Sequence, residues 1–74
     1  MAVVSGIPRA VRSLREQLGL TQEKFAATLG VTFPTVNRWE NGRSRPSPLA
    51  MKQLEELARK MRSDALVKCF VSGT

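Results

Sequence analysis

The 74 residues make one small domain, and twelve Lys or Arg against six Asp or Glu leave a formal net charge of +6 that favours a polyanionic partner. The chain has no histidine and one cysteine. It therefore offers no zinc ligand set and no His-based acid, base or nucleophile within one subunit, and no enzyme activity, metal or cofactor is expected. No apolar run approaches the roughly 20 residues that span a bilayer. Residues 1–6 are too short for a signal peptide, so the expectation is a soluble, cytoplasmic chain without membrane contact.

Residues 1–6 lack periodicity and are expected to form a flexible N-terminus. From Ile7 the apolar residues Ile7, Val11, Leu14 and Leu18 recur at helical spacing, with Pro8 suited to a first turn and Gly19 to a C-terminal stop. Thr21 can cap a second helix that carries Gln22 and Glu23 in its first turn and runs to Thr28 or Leu29. Thr32 can cap a third, because Pro34 in a first turn gives up a donor that has no intrahelical partner anyway. Asn41-Gly42 ends that helix and Arg43 to Pro46 form a loop.

Ser47 then caps and Pro48 opens a fourth helix, with Ala50 or Met51, Leu54, Leu57, Ala58 and Met61 predicted inward and Glu55, Glu56, Arg59 and Lys60 outward. Its pattern persists to about Lys60. Beyond Arg62, Ser63-Asp64 either caps a short fifth helix through Ala65, Leu66, Val67 and Phe70 or the fourth helix continues. The predicted organisation is residues 1–6 as a flexible N-terminus, 7–62 as the helical domain, and 63–74 as a C-terminal tail or short helix for which a dimer contact is one of two alternatives. The fold class expected is all-α, with four to five compactly packed helices.

Thr21 to Glu40, TQEKFAATLGVTFPTVNRWE, carries the strongest signal. Phe25, Ala26 and Leu29 share one stripe of the second helix, and Val36 and Trp39 share one stripe of the third, so each has an inward side. Ala26 is small where the next helix must approach, and Gly30 accepts the left-handed backbone of a tight corner. At about 100° per residue, Pro34, Asn37, Arg38 and Asn41 fall opposite the inward pair. Phe33 lies at one flank of that polar, basic face and Thr35 at the other, nearer the core. Of three stretches, residues 21–53, which include the motif and its exit loop, carry the greatest excess at +3, against +2 for residues 1–20 and +1 for the remainder.

This stretch resembles the helix-turn-helix of the lambda repressor and Cro family, the xenobiotic response element type of regulators. The likeness extends through Leu14-Arg15-Glu16-Gln17-Leu18-Gly19-Leu20-Thr21-Gln22 on one side and Arg38-Trp39-Glu40-Asn41-Gly42-Arg43 with Pro46 on the other, covering roughly residues 8 to 61. The resemblance implies a sequence-specific regulator of transcription that binds double-stranded DNA as a homodimer, with repression by promoter occlusion as the family's usual mode. Two-fold dimers in the family present two recognition helices about one DNA turn apart.

Carried residue by residue, the base-edge candidates are Thr32, Phe33, Pro34, Thr35, Asn37 and Arg38. Asn37 can pair with adenine and Arg38 with guanine, while Arg38 gripping phosphate is the alternative. Many relatives place glutamine or serine where this chain has Phe33-Pro34; Phe33 either meets a thymine methyl or folds back over the domain. Thr35 either contacts a base or serves as a local cap. Phosphate-contact candidates are Gln22, whose family equivalent can also brace the recognition helix, Asn41, Arg43 and Arg45.

Trp39 is expected in the core, and Lys24, Arg9 and Arg12 on solvated surface. Leu66, Val67, Phe70 and Val71 either form a self-association surface or pack on the chain's own first helix, and Cys69 among them reads as a small apolar residue. A chain this short buries only about 60% of its unfolded surface, which makes self-association a natural remedy. The rival function is an interaction module on the same scaffold: an antitoxin whose tail covers a toxin, or a domain that bridges other proteins.

Overall fold

Local chemistry sets the helix boundaries. In the computed structural model, which describes residues 6–73, five helices follow in order: α1 (Ile7–Gln17), α2 (Gln22–Leu29), α3 (Phe33–Glu40), α4 (Pro48–Lys60) and α5 (Asp64–Ser72). No strand occurs among the described residues. Most of the expected flexible N-terminus, residues 1–5, lies outside them, as does residue 74. Three hydroxyls cap as expected: Thr21 Oγ1 accepts from the Lys24 N–H (3.1 Å), Thr32 Oγ1 from the Thr35 N–H (3.4 Å) and Ser47 Oγ from the Ala50 N–H (3.2 Å). Pro8, Pro34 and Pro48 all sit in first turns, where a missing donor costs little.

The corner between α2 and α3 depends on Gly30, whose φ of 73° is left-handed. That conformation lets the Val31 N–H donate to the Ala26 carbonyl (2.9 Å) and the Gly30 N–H to Ala27 (3.2 Å), closing carbonyls that the end of α2 leaves open. The chain thus reverses into α3 within three residues. Gly42 repeats the device at the end of α3, where the Arg43 N–H donates to the Arg38 carbonyl (2.9 Å).

Packing then collects one apolar face from every helix. Ile7, Ala10, Val11 and Leu14 of α1, Phe25, Ala26 and Leu29 of α2, Val36 and Trp39 of α3, Ala50, Leu54 and Ala58 of α4, and Leu66, Cys69 and Phe70 of α5 form one buried cluster. Helix α1 is central, touching α3, α4 and α5, while α2 packs on α3 and α4 on α5. Each large side chain in this cluster contributes on the order of 2–3 kcal/mol of transfer free energy.

The end of the chain resolves the open alternative of a continued fourth helix. Helix α4 stops at Lys60, Arg62 takes a left-handed φ of 56°, and α5 folds back. Leu66 and Phe70 are 0% and 3% exposed inside the same core as α1, whereas Val71 remains 60% exposed. Two expectations need correction. Met61, predicted inward, is the C-terminal cap of α4 and 36% exposed, because the helix ends before the stripe reaches it. Ser63 precedes α5 but makes no side-chain cap; its φ and ψ of −98° and 89° depart from capping geometry.

Candidate nucleic-acid interface

Burial of Val36 and Trp39, 0% and 3% exposed, fixes the rotation of α3 about its axis. The opposite side then faces outward, with Phe33, Pro34, Arg38 and Asn41 exposed and Thr35 and Asn37 half-buried at its flanks. Phe33 is 45% exposed, so it does not fold back into the domain. The hydroxyls of Thr32 and Thr35 lie 2.8 Å apart, and Arg38 Nη2 reaches the Thr35 hydroxyl at 3.5 Å. Thr35 therefore takes part in the local cap and also borders the Arg38 guanidinium.

A second polar group lies alongside, rooted in the interior. Arg15 of α1 grips Glu40 of α3 with two bonds, Nε to Oε2 at 2.7 Å and Nη2 to Oε1 at 3.1 Å, and its Nη1 donates to the Leu20 carbonyl at 3.0 Å. The two side chains are 16% and 6% exposed. This fork of parallel bonds is the strong geometry for an arginine and a carboxylate. The hydrogen bonds to Glu40 raise the Arg15 pKa above its ordinary value against the opposing effect of burial, so the guanidinium stays charged.

From Glu40 the network runs outward. Gln22 Nε2 donates to Glu40 Oε1 (3.1 Å), Asn37 Nδ2 donates to Gln22 Oε1 (3.2 Å), and Asn41 Nδ2 donates to Asn37 Oδ1 (3.1 Å) and to the Asn37 carbonyl (2.9 Å). Three of the sequence candidates, Gln22, Asn37 and Asn41, are thereby joined in one chain of amides across the α2–α3 corner. Arg15 and Glu40, which sequence reasoning counted only as charges or as parts of a resemblance, are its foundation. Their separation of 25 residues leaves no local signal.

The loop candidates diverge. Arg43 is exposed beside the end of α3, to which its backbone is bonded. Arg45 is also exposed, yet its Nη2 donates to the Gly73 carbonyl after α5, so the structure joins it to the end of the chain and not to the amide network. Among the described residues no group of three or more Cys, Asp or Glu is placed to hold a metal ion, and no helix is long and apolar enough to cross a membrane.

Two short helices set at a glycine corner, the second carrying an outward polar face, define a helix-turn-helix. The chain belongs to the lambda repressor/Cro-like helix-turn-helix family: the family model described as helix-turn-helix matches residues 11–60. A similar curated protein is an uncharacterized HTH-type transcriptional regulator of Methanothermobacter thermautotrophicus, 49% identical over 37 residues. That match covers 50% of this chain and 54% of the relative, so the chain spans about half the length of the protein it resembles. No solved structure matches the chain.

Proposed function

We propose that this chain binds double-stranded DNA and regulates transcription, with α3 entering the major groove. The observation that carries the reading is the outward face of α3, on which Asn37 and Arg38 stand beside a corner rigidly braced from α1 and α2. Asn37, Arg38, Thr32, Thr35, Phe33 and Pro34 meet base edges and thymine methyls, and Gln22, Asn41 and Arg43 hold flanking phosphates. Arg45 joins the phosphate contacts by releasing the Gly73 carbonyl. The family membership and the regulator relative support the same reading.

In its finer form the proposal is a cytoplasmic repressor acting as a homodimer, two copies setting two α3 helices about one DNA turn apart. Residues 7–62 carry the binding surface. The test is selection of bound duplexes from a random library at about 0.1 M salt, where the screening length is about 10 Å and distant charge contacts are damped, followed by sedimentation of the recovered complex. An inverted repeat bound by two chains supports the dimeric regulator, and one copy per site removes the homodimer. Affinity should fall steeply with added salt as phosphate neutralisation releases counterions. Enrichment of no sequence would overturn the DNA reading and favour the protein-bridging or antitoxin module.

A further inference from the structure

An amide side chain has an oxygen and a nitrogen of nearly equal size, so Gln22, Asn37 and Asn41 could each face either way if their neighbours were neutral in the matter. Here the neighbours are not neutral. Arg15 has donors only, and the Glu40 carboxylate has acceptors only. Both Glu40 oxygens are engaged by Arg15 (2.7 and 3.1 Å), which holds the carboxylate in place with Oε1 toward Gln22. Gln22 must then turn its NH2 inward to Glu40 (3.1 Å) and its oxygen outward. That oxygen draws the Asn37 NH2 (3.2 Å), which sends the Asn37 oxygen to the Asn41 NH2 (3.1 Å). One direction of donation runs along the whole chain.

We infer that Glu40 is a positioning residue for base readout: through Gln22 it sets which way the Asn37 amide faces, and hence which donor and acceptor pattern α3 presents to a base. The inference rests on the DNA-binding reading above. Asn37 has four hydrogen-bonding capacities, two N–H groups and two oxygen lone pairs. One N–H goes to Gln22 and one lone pair to Asn41. One donor and one acceptor remain in a fixed order, the complement of a base that offers an acceptor and a donor side by side, as adenine does at N7 and N6. A base with the reverse order would need the amide to flip, and a flip would set the Asn37 oxygen against the Gln22 oxygen and the Asn37 NH2 against the Asn41 NH2. The relay therefore penalises the wrong base through the half-buried Asn37–Gln22 contact and the exposed Asn37–Asn41 contact beside the reading surface.

The experiment compares the full chain with Asn37→Ala, Gln22→Met and Glu40→Gln by duplex selection, followed by affinities for four duplexes differing at one position. Asn37→Ala identifies that position as the one at which base preference flattens. Gln22→Met removes the middle of the relay and leaves the Arg15–Glu40 pair in place; Glu40→Gln removes its root and carries a risk to folding that the first variant does not. Each relay variant is expected to lose about tenfold in discrimination at the Asn37 position, near the low end of what one paired contact contributes, with preferences elsewhere retained. Gln22→Met will also weaken all four duplexes alike through its phosphate contact, which leaves the ratio unaffected. In the Asn37→Ala background, Gln22→Met should produce no further loss of discrimination. Preferences that stay sharp in both folded relay variants, or that decline equally at every position, would overturn the inference while leaving DNA binding intact. If the parent chain enriches no duplex, the DNA reading fails and the inference falls with it.

Discussion

The turn from α2 to α3 and the turn from α4 to α5 are each three residues long, Gly30 to Thr32 and Met61 to Ser63, and both close on the same backbone pattern. Val31 donates to Ala26 at 2.9 Å in one, and Ser63 donates to Ala58 at 3.1 Å in the other. Their side chains differ. The first places glycine at the left-handed position and a capping threonine at the start of the next helix; the second places Arg62 at φ 56° and a serine that makes no side-chain cap. Local chemistry shapes the turn that aims α3, whereas burial of Leu66, Cys69 and Phe70 holds the turn that returns α5. The turn that sets the candidate face of α3 is the one with the lower backbone strain.

Substitutions can break this contrast, beginning with the core it rests on. Trp39→Ala should destabilise by about 3–5 kcal/mol and Leu66→Ala by about 2–5 kcal/mol, each leaving a cavity in the shared core; denaturant unfolding would show the comparable loss if α5 is held by burial. Capping should separate the turns more clearly. Thr32→Ala is expected to cost about 1 kcal/mol, and Ser63→Ala, with no cap to lose, should fall within about 0.5 kcal/mol of the parent in the same measurement.

Arg62→Gly sharpens the comparison from the other side. A left-handed non-glycine residue costs about 1–2 kcal/mol, and the added freedom of an unfolded glycine offsets about 0.5–1 kcal/mol of that. A small gain in melting temperature follows; a loss would mean that the Arg62 side chain contributes more than its backbone costs. Arg38→Ala should have the least effect on stability, within about 0.5 kcal/mol, since the residue is exposed. Its effect should appear as weaker duplex affinity at unchanged melting temperature.

The same contrast explains what could be read from the residues alone. Caps at Thr21, Thr32 and Ser47, the Gly30 corner and the inward stripes of α2 and α3 are written in near neighbours along the chain, and all were legible. Ala10 is fully buried yet was absent from the predicted α1 stripe, because alanine gives a weak periodic signal. The destination of Leu66 and Phe70 stayed open because it depends on how the chain turns at Arg62, where no glycine marks the reversal. For the candidate interface, the family resemblance singled out Gln22 and Asn41 and the polar face of α3 singled out Asn37, each as a separate candidate. Their connection required knowing that α1 crosses α3 so that Arg15 meets Glu40, a fact of tertiary geometry with no local trace.

The placement of α5 has a consequence for what the chain shares with its family. Among the described residues, five of the fifteen that make up the buried hydrophobic cluster, namely Ile7, Ala10, Leu66, Cys69 and Phe70, lie outside the matched stretch of residues 11–60. The inherited signature and the folding unit therefore have different edges. A chain trimmed to the signature would keep every candidate contact residue of α3 and lose a third of the buried hydrophobic residues of the shared core. The signature thus lies inside a folding unit whose core is completed from both sides of it, where α5 packs on α1.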